Sequence, residues 1–256
     1  MTLPAKKIHE ITNTVLNCTD ETDLMSLPYF FVPGIDGNLV DLPEETARHC
    51  VQVLRMRPGE QLSLTDGIGH LYDATIRSAG KRHCTVSVDG VQMEERVARK
   101  VSIAISPLKN AGRFEWFLEK ATEIGVVEIV PLICQRTERQ HFKAERAKSI
   151  LISAMLQSKQ SWLPVLKEPV AFEQAVAQSG WTQKLIAHCE DIQKTALSHF
   201  YNSNDTQILI GPEGDFTQTE IDAARFYGYH EVSLGLTRLR TETAGIVAAT
   251  LLINHD

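Results

Sequence analysis

QILIGPEGDF, residues 207–216, reads as a buried strand that spills into a turn. Ile208, Leu209 and Ile210 form a β-prone run. Gly211, Pro212 and Gly214 then let the backbone turn sharply and present its own N–H and C=O groups, by which main chain could read a flat heterocycle. Thr217 and Glu220 stand at capping-box spacing, so a helix is expected to start there, carry Ile221, Ala224 and Arg225, and end at Gly228. Neither G-x-G-x-x-G nor G-x-x-x-x-G-K-[ST] occurs in the unit, and Glu213 inside the turn would repel a phosphate. Taken alone, GPEG is equally an ordinary tight strand-to-helix connection.

A second stretch, LGLTRLRTETA at residues 234–244, repeats the pattern. Glu231 to Leu234 reads as a short strand, and after Gly235 come Arg238, Arg240, Thr241, Glu242 and Thr243. The nearly uncharged run Ala244 to Ile253 is too short to span a bilayer and reads as a buried helix whose polar start faces a ligand. Strand ends of this kind are where α/β proteins hold ligands.

Together, LIGPEGDF and LGLTRLRTETA resemble the signature of the RsmE family, knotted SPOUT-class methyltransferases that use S-adenosylmethionine. The resemblance implies an α/β domain with a trefoil knot, preceded by a small PUA-like β-barrel. It also implies transfer of a methyl group to N3 of a uridine in 16S rRNA, and a homodimer paired through the C-terminal region. On this reading Ala187, His188, Leu209 to Gly214, Leu234, Gly235, Leu236, Leu239, Arg240, Thr243 and Ala244 hold the cofactor. Arg240 stabilises negative charge developing on the uracil, with Glu242 and Glu213 as candidates for proton relay. Without the family, Arg240 and Glu242 equally suit an ion pair capping a buried helix, and His188 suits a strand-end histidine with a satisfied hydrogen bond.

Outward from these motifs, 256 residues suit one large or two modest domains, and 43% hydrophobic with 23% charged residues is the balance of a soluble globular protein. The five cysteines, Cys18, Cys50, Cys84, Cys134 and Cys189, are scattered without zinc spacing, as in reduced thiols of a cytoplasmic protein, and no metal is expected. No signal-peptide or membrane-spanning pattern occurs. The net charge of −6 weighs against nucleic-acid binding unless local patches override it.

Residues 1–24 lack core-forming pattern and read as a disordered extension. Residues 25–93 read as the β-barrel. Pro43 opens a helix, EETARHCVQVLRM, with Ala47, Cys50, Val51 and Leu54 on one face and Arg48, Gln52 and Arg55 opposite. Asp66-Gly67 joins strands 61–65 and 71–76, and residues 84–88 add a third. By composition Arg48, Arg55 and Arg57 are solvated surface or phosphate contacts; the resemblance favours RNA.

Residues 94–100, EERVARK, read as the linker to a domain over 101–256. There a strand at 101–106, a helix from Phe114 to Ile124 stopped by Gly125, and a strand at 126–130 before Pro131 imply a parallel crossover. A helix over 144–157 and a strand at 185–188 follow. Lys109 and Arg113 join the RNA-facing candidates from the resemblance. Where many relatives carry Arg, this chain has Gln157-Ser158-Lys159-Gln160-Ser161-Trp162, leaving Lys159 to reach a phosphate without an arginine's fork. A Rossmann-type nucleotide enzyme and a non-catalytic RNA-binding protein are the competing classes. The missing phosphate loop disfavours the first, and the second gives the charged strand-end turns no purpose.

Overall fold

The computed structural model describes residues 27–138, 142–200, 203 and 205–254; the extension expected over residues 1–24 lies outside them. The first unit is a five-stranded sheet of β1 (Tyr29–Phe31), β2 (Leu39–Asp41), β3 (Gln61–Thr65), β4 (His70–Ala79) and β5 (Cys84–Met93), in the order β1-β3-β4-β5-β2. Phe30 and Val40, from the two edge strands, share one core with Leu62, Leu64, Ile76 and Val86, so the sheet curls far enough to bring its edges together.

The helix expected from Pro43 is shorter and irregular. It runs as α1 (Glu44–Arg48) and widens into a π-turn over His49–Val53. The Leu54 N–H donates to the His49 carbonyl, and the added residue per turn rotates the next side chains off the 3.6-residue face. Ala47 and Cys50 remain buried, but Leu54, expected on that face, is 43% exposed, and Met56 enters the core instead.

The second unit is a parallel sheet with helices on both faces. Its strands are β6 (Lys100–Ile105), β7 (Glu128–Ile133), β8 (Val165–Leu166), β9 (Val170–Ala171), β10 (Gln183–Ala187), β11 (Thr195–Ala196), β12 (Asp205–Ile210) and β13 (His230–Ser233). They lie in the order β11-β13-β10-β12-β6-β7-β8, with β9 also on β7. The helices are α2 (Ala111–Ile124), α3 (Ala144–Gln157), α4 (Phe172–Gln178), α5 (Gln218–Phe226) and α6 (Thr241–Ile253). Burial on both faces explains the unbroken apolar strands. Ile103, Ile105, Ile208 and Ile210 face the core shared with α2, α3 and α6, while Ala104 and Leu209 face that of α4 and α5.

The expected crossover is present, with β6 and β7 in parallel register. Helix α2 starts earlier than its apolar face suggested, because the Asn110 side chain accepts the Gly112 N–H at 2.9 Å and caps it. It stops where expected, at Gly125 with φ +100°. Strand β7, expected to end before Pro131, continues through it. The Ile129 carbonyl accepts from Lys167 on the β8 side, and alternate residues point the same way, so the N–H that Pro131 lacks falls in the break between β8 and β9. Helix α6 begins at Thr241 rather than Ala244, taking the polar residues into its first turn. A Cβ at Gly245 would lie 2.6 Å from the Phe117 ring, so glycine there lets α6 settle against α2.

The stretch from Ser161 to Leu163 fastens the two units together. Trp162 bridges Ile68 antiparallel at the β3–β4 tip, the Leu163 N–H donates to the Gly67 carbonyl and the Gly69 N–H to that of Ser161. Trp162 Nε1 donates to the Glu94 carbonyl, Ser161 Oγ donates to the Glu94 carboxylate at 2.6 Å, and the Arg96 guanidinium lies 5.0 Å from the Trp162 ring centre. Gly69, at φ +99°, leaves room for the Trp162 ring that any Cβ would fill.

Candidate active site

Parallel register brings the carboxyl ends of β10, β12 and β13 side by side, since Ala187 pairs with both Ile210 and Val232. The three segments beyond these strands, together with the start of α6 and Arg113 of α2, enclose a cavity of about 610 Å³. That is the size of a site for a cofactor-sized molecule.

The segment after β12 turns as its glycines suggested. A Cβ on Gly211 would meet the Phe216 ring at 3.1 Å, so the turn is packed closely on Phe216 beneath it. Asp215 takes φ +64°; its carboxylate accepts the N–H of Phe216 at 2.9 Å and that of Cys189 at 2.8 Å, binding this turn to the segment after β10. The expected capping box forms at Thr217 and Glu220. Buried Glu220 also accepts the Gln135 N–H at 2.8 Å, so the cap ties the loop after β7 into the same framework. Glu213 is exposed and accepts the Lys109 backbone N–H at 3.1 Å.

His188, buried at the end of β10, is held at both ring nitrogens. Nδ1 accepts the Glu190 N–H at 3.2 Å, which leaves the ring proton on Nε2 for donation to Glu231 Oε2 at 2.6 Å. Glu231 in turn receives Arg225 through Nε at 2.7 Å and Nη2 at 3.0 Å, and this pairing holds its carboxyl below the usual range. Burial pushes the His188 imidazole below its ordinary value, with Glu231 opposing.

At the third strand end, Glu242 is buried and its partner is Arg113, with Nε 3.7 Å from Oε1. Arg240, at the N-cap of α6, makes no ion pair among the described residues, so the Arg240–Glu242 pair that the sequence left open does not form.

Of the residues read from the sequence as cofactor contacts, Ala187, His188, Ile210, Gly211, Pro212, Glu213, Leu234, Gly235, Leu236, Leu239, Arg240 and Ala244 line the cavity, as does Glu242. Leu209, Gly214 and Thr243 do not; Leu209 is buried in the core on the α4 and α5 side of the sheet. Gly214 lies against the Arg136 side chain, whose Nη1 donates to its carbonyl at 2.8 Å. The RNA-facing candidates are dispersed. Arg113 lines the cavity; Lys109 stands beside it, bonded to Glu138 at 2.9 Å. Lys159, at φ +54°, lines a groove of about 860 Å³ between α3 and the first sheet. Arg48, Arg55 and Arg57 are exposed on the first unit. Sequence reasoning missed Asp215, Lys194 and Arg113 as cavity residues, because what places them is pairing between distant segments.

A parallel sheet with a cavity at its strand ends, joined to a small curled β unit, is the build of an α/β protein that holds a ligand across its strand ends. Residues 95–253 match the model of the RNA methyltransferase domain, and residues 42–89 that of the RNA methyltransferase PUA domain. The chain is 31% identical over 217 residues to ribosomal RNA small subunit methyltransferase E of a Synechocystis species, covering 82% of this chain and 71% of that protein. Its fold is similar to a probable rRNA-methyltransferase of Porphyromonas gingivalis, with 41% identity, TM-score 0.83, and 88% and 98% of the two chains covered. It is also similar to a ribosomal RNA small subunit methyltransferase E of Neisseria gonorrhoeae bound to S-adenosylmethionine, with 28% identity, TM-score 0.77, and 88% and 95% covered. The chain belongs to the ribosomal RNA small subunit methyltransferase E family.

Proposed function

We propose that this protein transfers a methyl group from S-adenosylmethionine to N3 of a uridine in the RNA of the small ribosomal subunit. The observation that carries the reading is the convergence of three strand ends on one cavity, with Arg240 at its edge making no ion pair among the described residues. The residues fit the cofactor. Ile210, Val232, Leu234 and Leu239 offer an apolar wall to an adenine, and the main chain from Gly211 to Glu213 supplies polar edges close by. When bound, the sulfonium supplies an electrophilic methyl group, so the chain need not furnish a nucleophile of its own.

What the chain furnishes is placement and charge. Arg240 would favour the anionic form of uracil at N3, because no carboxylate among the described residues already matches its charge. Of the two carboxylates, Glu242 is buried against Arg113, whereas Glu213 is exposed and better placed to pass a proton to water.

The same reading assigns RNA docking to the first unit. Arg48, Arg55 and Arg57 make no ion pair among the described residues, nor do Lys81 and Arg82, whose loop is drawn toward them by a hydrogen bond from Gln52 Nε2 to the Lys81 carbonyl at 2.7 Å. A local cationic patch of this kind offsets the net charge of −6. The division of the chain at residues 94–100, the trefoil threading, a homodimer through α6 and a cytoplasmic setting complete the proposal. For the dimer, Ile246, Val247 and Leu251 of α6 remain only half-buried. No helix among the described residues is long and apolar enough to cross a membrane.

Calorimetric titration with S-adenosylhomocysteine, NAD and ATP tests the cavity. Binding of the first alone is expected, and preference for either nucleotide would redirect the reading to a nucleotide enzyme.

A further inference from the structure

The segment covering one side of the cavity, residues 189–194, has no helix or strand of its own, and a small set of polar contacts fixes its path. The Glu190 N–H donates to His188 Nδ1 at 3.2 Å. Lys194 Nζ donates to the carbonyls of His188 at 2.7 Å and Glu190 at 2.6 Å, closing the segment on itself. The Cys189 N–H is held by Asp215. Every one of these contacts meets at His188 or its neighbours, and the His188 side chain is wholly enclosed.

We propose that His188 is a positioning residue for cofactor binding: braced through Nε2–H by Glu231, it presents an unprotonated Nδ1 that holds the 189–194 segment against the cavity. The inference rests on the cofactor reading of that cavity and adds to it a requirement on protonation. An imidazolium would turn Nδ1 into a second donor facing the Glu190 N–H, and the segment would have to move. A loosened segment must then be ordered by the ligand, which weakens binding.

The charged groups around the ring come from each element packed on it. Glu231 of β13 accepts from Nε2, with Arg225 of α5 behind it and Asp222 on Arg225. Lys194 lies on the segment itself, and Asp215 on the turn after β12. Burial and Lys194 disfavour the charged ring, while Glu231 and Asp215 favour it, and the balance lies below the ordinary histidine value. His188 is therefore neutral at neutral pH and becomes charged on acidification.

The test is calorimetric titration of the full chain with S-adenosylhomocysteine from about pH 7.5 downward, through and below the ordinary histidine range for as long as the protein stays folded, because His188 titrates below that range. Native affinity should fall by roughly tenfold over that descent, the loss expected for one hydrogen bond. His188→Gln retains a donor toward Glu231 but offers nothing at Nδ1, so it should bind about tenfold more weakly at the upper pH, with a flat profile below. His188→Asn, which can place an acceptor where Nδ1 stood, should recover most of that affinity. A merely structural role would lower the melting temperature of all variants and leave the pH profile unaltered. Equal affinity of native and Gln proteins, or parallel pH profiles, overturns the inference. Should the Gln variant fail to fold, a native profile without acid loss overturns it alone. Absence of native binding at the upper pH overturns the cofactor reading itself, and this inference with it.

Discussion

Arg113 and Glu242 meet across the cavity wall, Nε 3.7 Å from Oε1, and so join the first turn of α2 to the first turn of α6. The pairing separates two arginines that look equivalent in the sequence. Arg113 already has a carboxylate partner, whereas Arg240 has none among the described residues.

Arg240→Ala is accordingly expected to lower kcat by about a hundredfold, the scale of one lost charge-stabilising donor, with cofactor affinity within about twofold of native. Arg113→Ala should act mainly on stability, by about 1–3 kcal/mol, because it leaves the buried Glu242 carboxylate without its partner. Steady-state kinetics with urea unfolding of each variant separates the two outcomes; an equal kcat loss in both would remove the distinction.

The glycines of the turn after β12 are expected to differ. Gly211→Ala would press its methyl on Phe216 and cost about 1–3 kcal/mol, the range for overpacking. Gly214→Ala adds a Cβ at ordinary contact distance from Arg136, outside the cavity, and should leave S-adenosylhomocysteine affinity near native. Calorimetry and thermal melts of the pair check this, and a strong affinity loss at Gly214 alone would place the ligand against the outer side of the turn.

Trp162→Ala removes an indole hydrogen bond, a cation–π contact and part of the seam between the units. A loss of about 2 kcal/mol is expected from those contacts together. Since the seam orients the first unit relative to the cavity, RNA affinity should fall further than cofactor affinity. Filter binding and calorimetry on one preparation would show it, and an equal fall in both would point to general destabilisation.

Acid stability depends on the same network that braces the cavity. His188 and Glu231 both have folded values below their ordinary ones, 6.5 and 4.5. Each therefore contributes stability that is complete above the ordinary value and is lost as pH falls through the lower, folded one. Native melting temperature should decline in two stages, the first below 6.5, and His188→Gln should lack that first stage.

The apolar strand runs, the capping box at Thr217, the stop at Gly125 and the run of helix 144–157 were legible because each depends on neighbours within one turn or one strand. Most cavity residues were legible too, since a strand end is readable from its own sequence. The π-turn after Arg48 was not, because periodicity assumes a constant 3.6 residues per turn. Nor were Arg113 with Glu242, His188 with Glu231 or Trp162 with Glu94, which unite positions 129, 43 and 68 residues apart and leave no local signal.

The central claim is tested most directly by incubating the protein with methyl-tritiated S-adenosylmethionine and small-subunit ribosomal RNA or particles, then digesting the RNA to nucleosides. The account predicts label in 3-methyluridine, lowered in parallel with kcat by Arg240→Ala. Label confined to another nucleoside, or none on either substrate while the cofactor binds, would contradict it.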